Sequence, residues 1–505
     1  MGIIKSIIAW RNIKRMFQVD LFMKFPCNVQ NEQLLKLLLK AEDTEYGKKY
    51  NFKSIKNYQT FKERVPLNNY DTLKPLIDRI RKGEQNILWP NEIKWFAKSS
   101  GTTSDKSKFI PVSKDALEEC HFTGGKDVLA FYTNNFPETN IFKGKSLTLG
   151  GSNKINNISN DSFYGDLSAI LIENIPFWTN LIRSPKKEIA LLDDFEKKLE
   201  IITKSTANEN VTTIAGVPSW NLVLIKHILE FTKKSNLLEV WPNLELFIHG
   251  GVSFTPYREQ FKKLIPSSDM QYLETYNASE GFFAIQDYPT RDDMLLMLDY
   301  GIFYEFIPIE ELEKENAKVL SLEEVEEGKN YAIVITTNSG LWRYKIGDTV
   351  KITSKYPFKI KISGRTKHFI NAFGEELIID NAEQSLKIAC EKTNALIKDY
   401  TAGPIYMKDD AQGAHEWLIE FEKEPDNIEF FTSILDNALK SVNSDYEAKR
   451  YKNLTLGLPE IKIMKKGTFY QWLKNKGKLG GQNKVPRLHN DRKYIEEVLE
   501  INEQL

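Results

Sequence analysis

Apolar positions change their spacing several times along this chain, and each change predicts a different kind of element. Residues 16–90 read as helical and connecting, with Leu34, Leu35, Leu37, Leu38 and Leu39 in one buried helix and Tyr70 to Arg81 in another. From 95 to 111 the pattern is strand, polar loop, strand. Trp95-Phe96-Ala97 and Phe109-Ile110-Pro111 flank a run from Lys98 to Lys108 that is almost wholly polar. Ser113 then suits the N-cap of a helix carrying Leu117, Cys120 and His121, and residues 146–162 read as a Gly- and Asn-rich loop.

Between 211 and 285 the texture is α/β. Val211 to Ala215 is a β-branched run, Gly216-Val217-Pro218-Ser219 is a turn, and Trp220 to Phe231 has helical spacing. The unit recurs as a strand at Leu244 to His249, a Gly250-Gly251 turn, a helix after Pro256, and a strand from Gln271 to Thr275. That strand leads into Tyr276-Asn277-Ala278-Ser279-Glu280-Gly281. Each strand ends in a small or polar loop, where open α/β sheets place their ligands.

From 295 to 363 alternation takes over, with strands at Tyr331 to Thr337, Val350 to Ile352 and Phe358 to Ile362. Turns are expected at Asn338-Ser339-Gly340 and Gly347-Asp348. Beyond Gly364 come a helix from Asp380, a strand at Trp417 to Phe421, a helix with Phe431, Ile434 and Leu435, and a strand near Ile461. The expected architecture is therefore α/β: a large N-terminal α/β domain (1–366) with an antiparallel β subdomain, plus a small C-terminal α+β domain (367–505). A short hinge joins them, since no low-complexity tether separates the two textures.

Composition narrows the function. Lys+Arg and Asp+Glu both number 69, so no net charge draws the chain onto nucleic acid or an anionic membrane. Cys27, Cys120 and Cys390 lie far apart with no metal or disulfide spacing, which suits the cytoplasm. The apolar run in Met1 to Lys14 is too short for a signal sequence or a span and reads as a surface helix. Met1-Gly2-Ile3-Ile4-Lys5-Ser6 matches the short myristoylation pattern, which matters only where the transferase is present. Small-molecule partners are expected, with no nucleic acid, membrane or obligate protein partner.

The most telling chemistry lies in Ser99-Ser100-Gly101-Thr102-Thr103. Hydroxyls around a glycine let backbone and side chains approach phosphate oxygens, with Lys106 and Lys108 nearby as cations. It is not a Walker loop, because no Gly-Lys-Ser/Thr follows and an apolar strand does. Taken alone, it could equally be a solvated turn.

Four ordered motifs argue otherwise: this loop, Tyr276 to Glu280, Arg343-Tyr344-Lys345-Ile346-Gly347-Asp348, and Gly364-Arg365-Thr366-Lys367 with Gly374-Glu375. Together they resemble the adenylate-forming superfamily and, within it, the Gretchen Hagen family of acyl-acid amido synthetases. The resemblance covers nearly the whole chain, including Gly480-Gly481-Gln482-Asn483-Lys484 in the tail. Where family members often carry Gly, this chain has Asp105, which adds a negative charge that Lys106 could offset.

The resemblance implies roles. Ser99, Ser100, Gly101, Thr102 and Thr103 hold the phosphates of ATP, with Lys108 on the loop-lysine position. Tyr276 stacks on adenine beside Ser279, Glu280 ligates Mg2+, Asp348 accepts the ribose hydroxyls, and Arg365 adds a ribose or phosphate contact. Lys484 is the catalytic tail lysine and Lys367 the hinge. The acyl pocket is expected between Val217-Pro218-Ser219-Trp220 and Gly250-Gly251-Val252-Ser253-Phe254. The implied reaction adenylates a carboxylic acid and passes the acyl group to an amine, in all expectation an amino acid. An acyl-CoA or carrier-protein thioester ligase and a non-catalytic nucleotide-binding module are the alternatives. Pyrophosphate exchange into ATP discriminates the last of these.

Overall fold

The computed structural model describes residues 2–102, 105–148, 156–159, 162–176, 179, 182–192, 195–251, 254, 257–312, 314, 316–365, 369–375, 377–408, 411–453, 455–476 and 485–505. Lys367, Thr103, Val252 and Lys484 lie outside them, as do the side chains of Ser100, Thr102, Ser219 and Arg365.

The chain opens on helices Gly2–Lys24, Pro26–Ala41 and, after two shorter ones, Tyr70–Arg81, as the helical spacing predicts. Strands β1 (Trp95–Thr102) and β2 (Asp105–Val112) form an antiparallel hairpin. Next come β3 (Lys145–Thr148), β4 (Asn156–Ser159), β5 (Ser162–Gly165), β6 (Arg183–Ser184), β7 (Val211–Gly216) and β8 (Leu246–Gly250). They are followed by β9 (Gln271–Ala278), β10 (Gly281–Ile285), β11 (Met294–Leu296) and β12 (Ile302–Pro308). Last in this part are β13 (Asn330–Thr337), β14 (Tyr344–Lys355) and β15 (Phe358–Arg365).

Two sheets result. A small one has the order β2-β1-β5-β4, and an 11-stranded one runs β12-β13-β14-β15-β11-β10-β9-β8-β7-β3-β6. In the large sheet β6, β3, β7, β8 and β9 are mutually parallel, and the strands from β9 to β12 pair antiparallel. The alternating region is thus continuous with the α/β region through β9. The parallel half is covered on both faces, which explains its uninterrupted apolar runs. Leu246 packs in the core under the N-terminal helices, whereas its neighbour Phe247 packs with Leu147 and Ile214 on the other side.

The C-terminal α+β region places helices Ile379–Thr393 and Ile428–Val442 against strands Leu396–Ile405, Ala414–Lys423 and Glu460–Ile463. Its core is not separate. Phe373, Trp417 and Leu435 belong to the same apolar cluster as Ile214, Phe247 and Tyr257 of the parallel half. The Tyr257 hydroxyl also donates to Ala372 O at 2.7 Å, and Asn371 Nδ2 donates to Gly251 O at 3.3 Å. Among the described residues no helix is long and apolar enough to cross a membrane.

Candidate active site

The hydroxyl-rich stretch forms the tip of the β1–β2 hairpin. Its register sets Ser99 opposite Lys108, Ser100 opposite Ser107 and Thr102 opposite Asp105. A strand pair therefore brings a hydroxyl and a cation side by side, and Ser99 and Lys108 both line one cleft of ≈ 2810 Å³. Ser100, Gly101 and Thr102 belong to β1, so the polar run continues the strand rather than interrupting it.

The second motif also differs from a loop. β9 extends through Tyr276 to Ala278, and Ser279-Glu280 is a two-residue turn into β10, with Ala278 paired to Gly281. Ser279 and Glu280 sit at the tip of a tight hairpin facing the cleft. Among the described residues no three His, Cys, Asp or Glu side chains cluster as a metal site. An ion held by one carboxylate and by nucleotide phosphates needs no such cluster, so Glu280 fits Mg2+ in that manner.

Tyr276 and Asp348 meet across the sheet, the tyrosine hydroxyl donating to Asp348 Oδ2 at 2.7 Å, and both are buried. Asp348 does not lie in a turn between strands, as the Gly347-Asp348 pair suggests. It is inside β14. The β13–β14 register jumps so that Ile346, Gly347 and Asp348 oppose Ile333 alone, and Gly347 takes φ +100°. This bulge turns the strand and aims the carboxylate into the cleft. Arg365 is the cross-strand partner of Asp348 on β15, so the two expected ribose contacts are adjacent in the backbone.

Arg343, which precedes Asp348 in the motif, has another task. Its guanidinium is buried against Glu305, with Nε–Oε2 at 2.9 Å and Nη2–Oε1 at 2.8 Å, and Nη1 donates to Lys62 O and Val65 O. Glu375 is likewise structural. It is fully buried, accepts from Ala372 N and Phe373 N, and lies 2.8 Å from His415 Nε2.

Val217, Gly250 and Gly251 line the cleft together with Trp220 and Phe254. Gly250 is required by close approach: a Cβ there would stand 2.5 Å from Thr275 O on the neighbouring strand. Pro218 is buried in the first turn of helix Pro218–Thr232, where a missing N–H costs nothing, and is not among the residues lining the cleft. The wall that sequence reasoning missed comes from β3, β6 and the helices Phe122–Asn135 and Leu167–Asn174, which add Phe122, Leu171, Ile172, Ser146 and Arg183. Strands of four and two residues leave no alternation to detect, though Leu167 to Ile172 is an apolar run that could have signalled a wall.

Two histidines also line this cleft. His249 on β8 stacks on Phe254 with ring centroids 4.2 Å apart, and burial, aided by the Arg258 charge, lowers its pKa to about 3. Burial lowers His121 to about 4. Against an unfolded value of about 6.5, both bind fewer protons folded than unfolded between about pH 4 and 6.5, so stability falls as pH falls through that window. Each contributes a slope of up to about 1.4 kcal/mol per pH unit. His249→Gln is expected to flatten the decline in urea midpoint from pH 6.5 to 4. A decline as steep as in the wild-type protein would show that His249 titrates normally.

Solved enzymes share this fold. Solved structures with the same fold include GH3.15 acyl acid amido synthetase in complex with 2,4-DB, at TM-score 0.60 and 20% identity over 94% of this chain and 93% of that one. 2-Hydroxyisobutyryl-CoA ligase with 2-HIB-AMP and CoA matches at TM-score 0.56 and 11% identity, over 95% and 92%. Sequence profiles then place the chain in the GH3 family, to which it belongs. The N-terminal domain profile matches residues 15–270, the central domain 295–365 and the C-terminal domain 380–493. Indole-3-acetic acid-amido synthetase GH3.3 of Arabidopsis thaliana is 24% identical, over 91% of this chain and 89% of its own length. Jasmonoyl–L-amino acid synthetase JAR6 of Nicotiana attenuata is also 24% identical, over 91% and 90%.

Proposed function

We propose that this protein is an ATP-dependent acyl acid amido synthetase. The observation that carries the reading is convergence on one cleft. The Ser99–Lys108 hairpin, the Tyr276–Asp348 pair and the Ser279-Glu280 turn face the same space, which continues into an apolar recess. Family membership and relatives named for joining an acid to an amine or amino acid support the amide product.

In the first half-reaction a carboxylate oxygen attacks the α-phosphorus of ATP, the bond from that phosphorus to the bridging oxygen breaks, and pyrophosphate leaves. Charge builds on phosphate oxygens, which hydroxyls and cations at Ser99, Ser100, Thr102, Thr103 and Lys108 stabilise. Tyr276 carries the adenine, Asp348 and Arg365 the ribose. Glu280 would hold Mg2+, which shields the phosphate charge when bound. Lys484 bridges the carboxylate and the α-phosphate. In the second half-reaction an amine nitrogen attacks the acyl carbon, AMP departs, and the amine loses a proton. Residues 367–505 reorient about Lys367 between the steps, relative to residues 1–366. A cytoplasmic setting fits the ATP requirement and the three free cysteines.

The test is carboxylate-dependent exchange of labelled pyrophosphate into ATP over a panel of acids, followed by product analysis with amino acids and with CoA. Exchange with at least one acid and an amide product are expected. No exchange with any acid removes the adenylation reading, and a thioester product replaces the amide one.

A further inference from the structure

Arg183 stands apart from the other arginines of the buried class. Arg343 is paired with Glu305 and Arg450 with Asp436, each by charge-assisted bonds. Arg183 is only 6% exposed, yet its Nη1 and Nη2 are buried with no hydrogen-bond partner. Burial pulls its pKa down with no carboxylate opposing the shift. A buried, unpaired guanidinium is costly to keep, and the cost is removed when an anion arrives.

Its position is informative. Arg183 lies on β6, the edge strand of the parallel half, in register with Ser146, which pairs in turn with Thr213 and through it with Leu246. Arg183 and Ser146 line the cleft, as do the apolar side chains of Phe142, Ile172, Ile175 and Ile182, of which Phe142 and Ile182 are partly open to solvent. β3 and β7 separate β6 from β8, so Arg183 is roughly 14 Å to the side of Leu246 at about 4.8 Å per strand, and Gly250 lies at the other end of β8. Arg183 lies on the side away from Tyr276 and Asp348.

On the reading that this cleft adenylates an acyl acid, we propose that Arg183 binds a second carboxylate at the far end of the acid, so that the enzyme selects an apolar acid with an anionic terminus. The activated carboxyl must lie near the β8 strand end, beside the nucleotide groups. The acid then extends along the apolar side chains of the cleft and meets the cation of Arg183. The carboxylate of the incoming amino acid is a poor alternative occupant. Its amine sits on the adjoining carbon, so a carboxylate held by Arg183 would keep the nucleophile far from the acyl carbon.

The test compares α,ω-dicarboxylic acids of six to twelve carbons with monocarboxylic acids of equal length in pyrophosphate exchange. The wild-type enzyme is expected to favour the matching diacid about tenfold or more in kcat/KM, the worth of a charge-assisted hydrogen bond. Arg183→Met should abolish or reverse that preference, chiefly through KM, and Arg183→Lys should keep part of it. Arg183→Met should also raise the melting temperature, because it removes an unpaired buried charge. Equal use of diacids and monoacids by both enzymes overturns the inference, as does a methionine variant that melts lower with its acid preference unchanged. So does a change confined to the KM of the amino acid. Calorimetry without ATP separates this inference from the wider reading. Diacid binding lost in Arg183→Met, with no exchange for any acid, upholds the anion site and removes the ligase. Absence of diacid binding overturns the site itself.

Discussion

Glu305→Ala is expected to destabilise the fold by ~3–5 kcal/mol, the scale for removing one partner of a buried ion pair. Glu305 is fully buried and Arg343 is 3% exposed, so water does not replace the lost carboxylate. The substitution strands a guanidinium whose other donors already serve Lys62 O and Val65 O, and it deprives the Tyr58 hydroxyl of its acceptor at 3.1 Å. Arg343 also holds φ +44°, a left-handed conformation that its side-chain bonds keep in place. The urea midpoint should therefore drop sharply while the folded fraction binds ATP with unchanged affinity. A variant with normal stability and weakened ATP binding would place Arg343 at the nucleotide site instead.

Asp348→Ala should weaken ATP binding by on the order of 10²-fold or more, since two bonds from ribose hydroxyls to a charged acceptor are worth ~1.5–3 kcal/mol each before water compensates. The geometry adds a control. Because Asp348 also accepts from Tyr276, its loss could act by releasing the tyrosine. Tyr276→Phe removes that bond and keeps the carboxylate, so its effect on affinity should stay within about tenfold, one neutral hydrogen bond. Calorimetric dissociation constants for the two variants decide the matter. Equal losses would make Asp348 a positioning residue for Tyr276, and an unchanged constant in folded Asp348→Ala would remove it from the site.

Much of this arrangement was legible locally. The helix at Tyr70–Arg81 and the strand-helix texture from 211 follow from period and turn residues and appear where expected, and the two strands expected around the polar loop at 95–111 are present but extend through most of that loop. Ser99, Lys108, Tyr276, Glu280 and Asp348 come together because strand ends converge. Errors arose where a local signal has a nonlocal cause. Gly347-Asp348 reads as a turn, yet the glycine serves a bulge that only the pairing with β13 creates. Arg343 belongs to the Asp348 motif, but its partner Glu305 is 38 residues away and carries no sequence mark, so the buried pair was not legible. β3 and β6 are too short for periodicity, so the recess containing Arg183 was invisible.

The shared core between the parallel sheet and the C-terminal region has a calorimetric consequence. Any rotation of that region between half-reactions must break the Tyr257–Ala372 and Asn371–Gly251 hydrogen bonds and lift Lys449 off the Trp220 ring, 4.3 Å away. It must also part the Tyr406 ring from the Tyr257 ring, 6.5 Å away, and so wet apolar surface of the shared core. Newly wetted apolar surface raises heat capacity. The enthalpy of any step that turns the C-terminal region should therefore climb with temperature, and nucleotide binding that leaves the core closed should not share that slope.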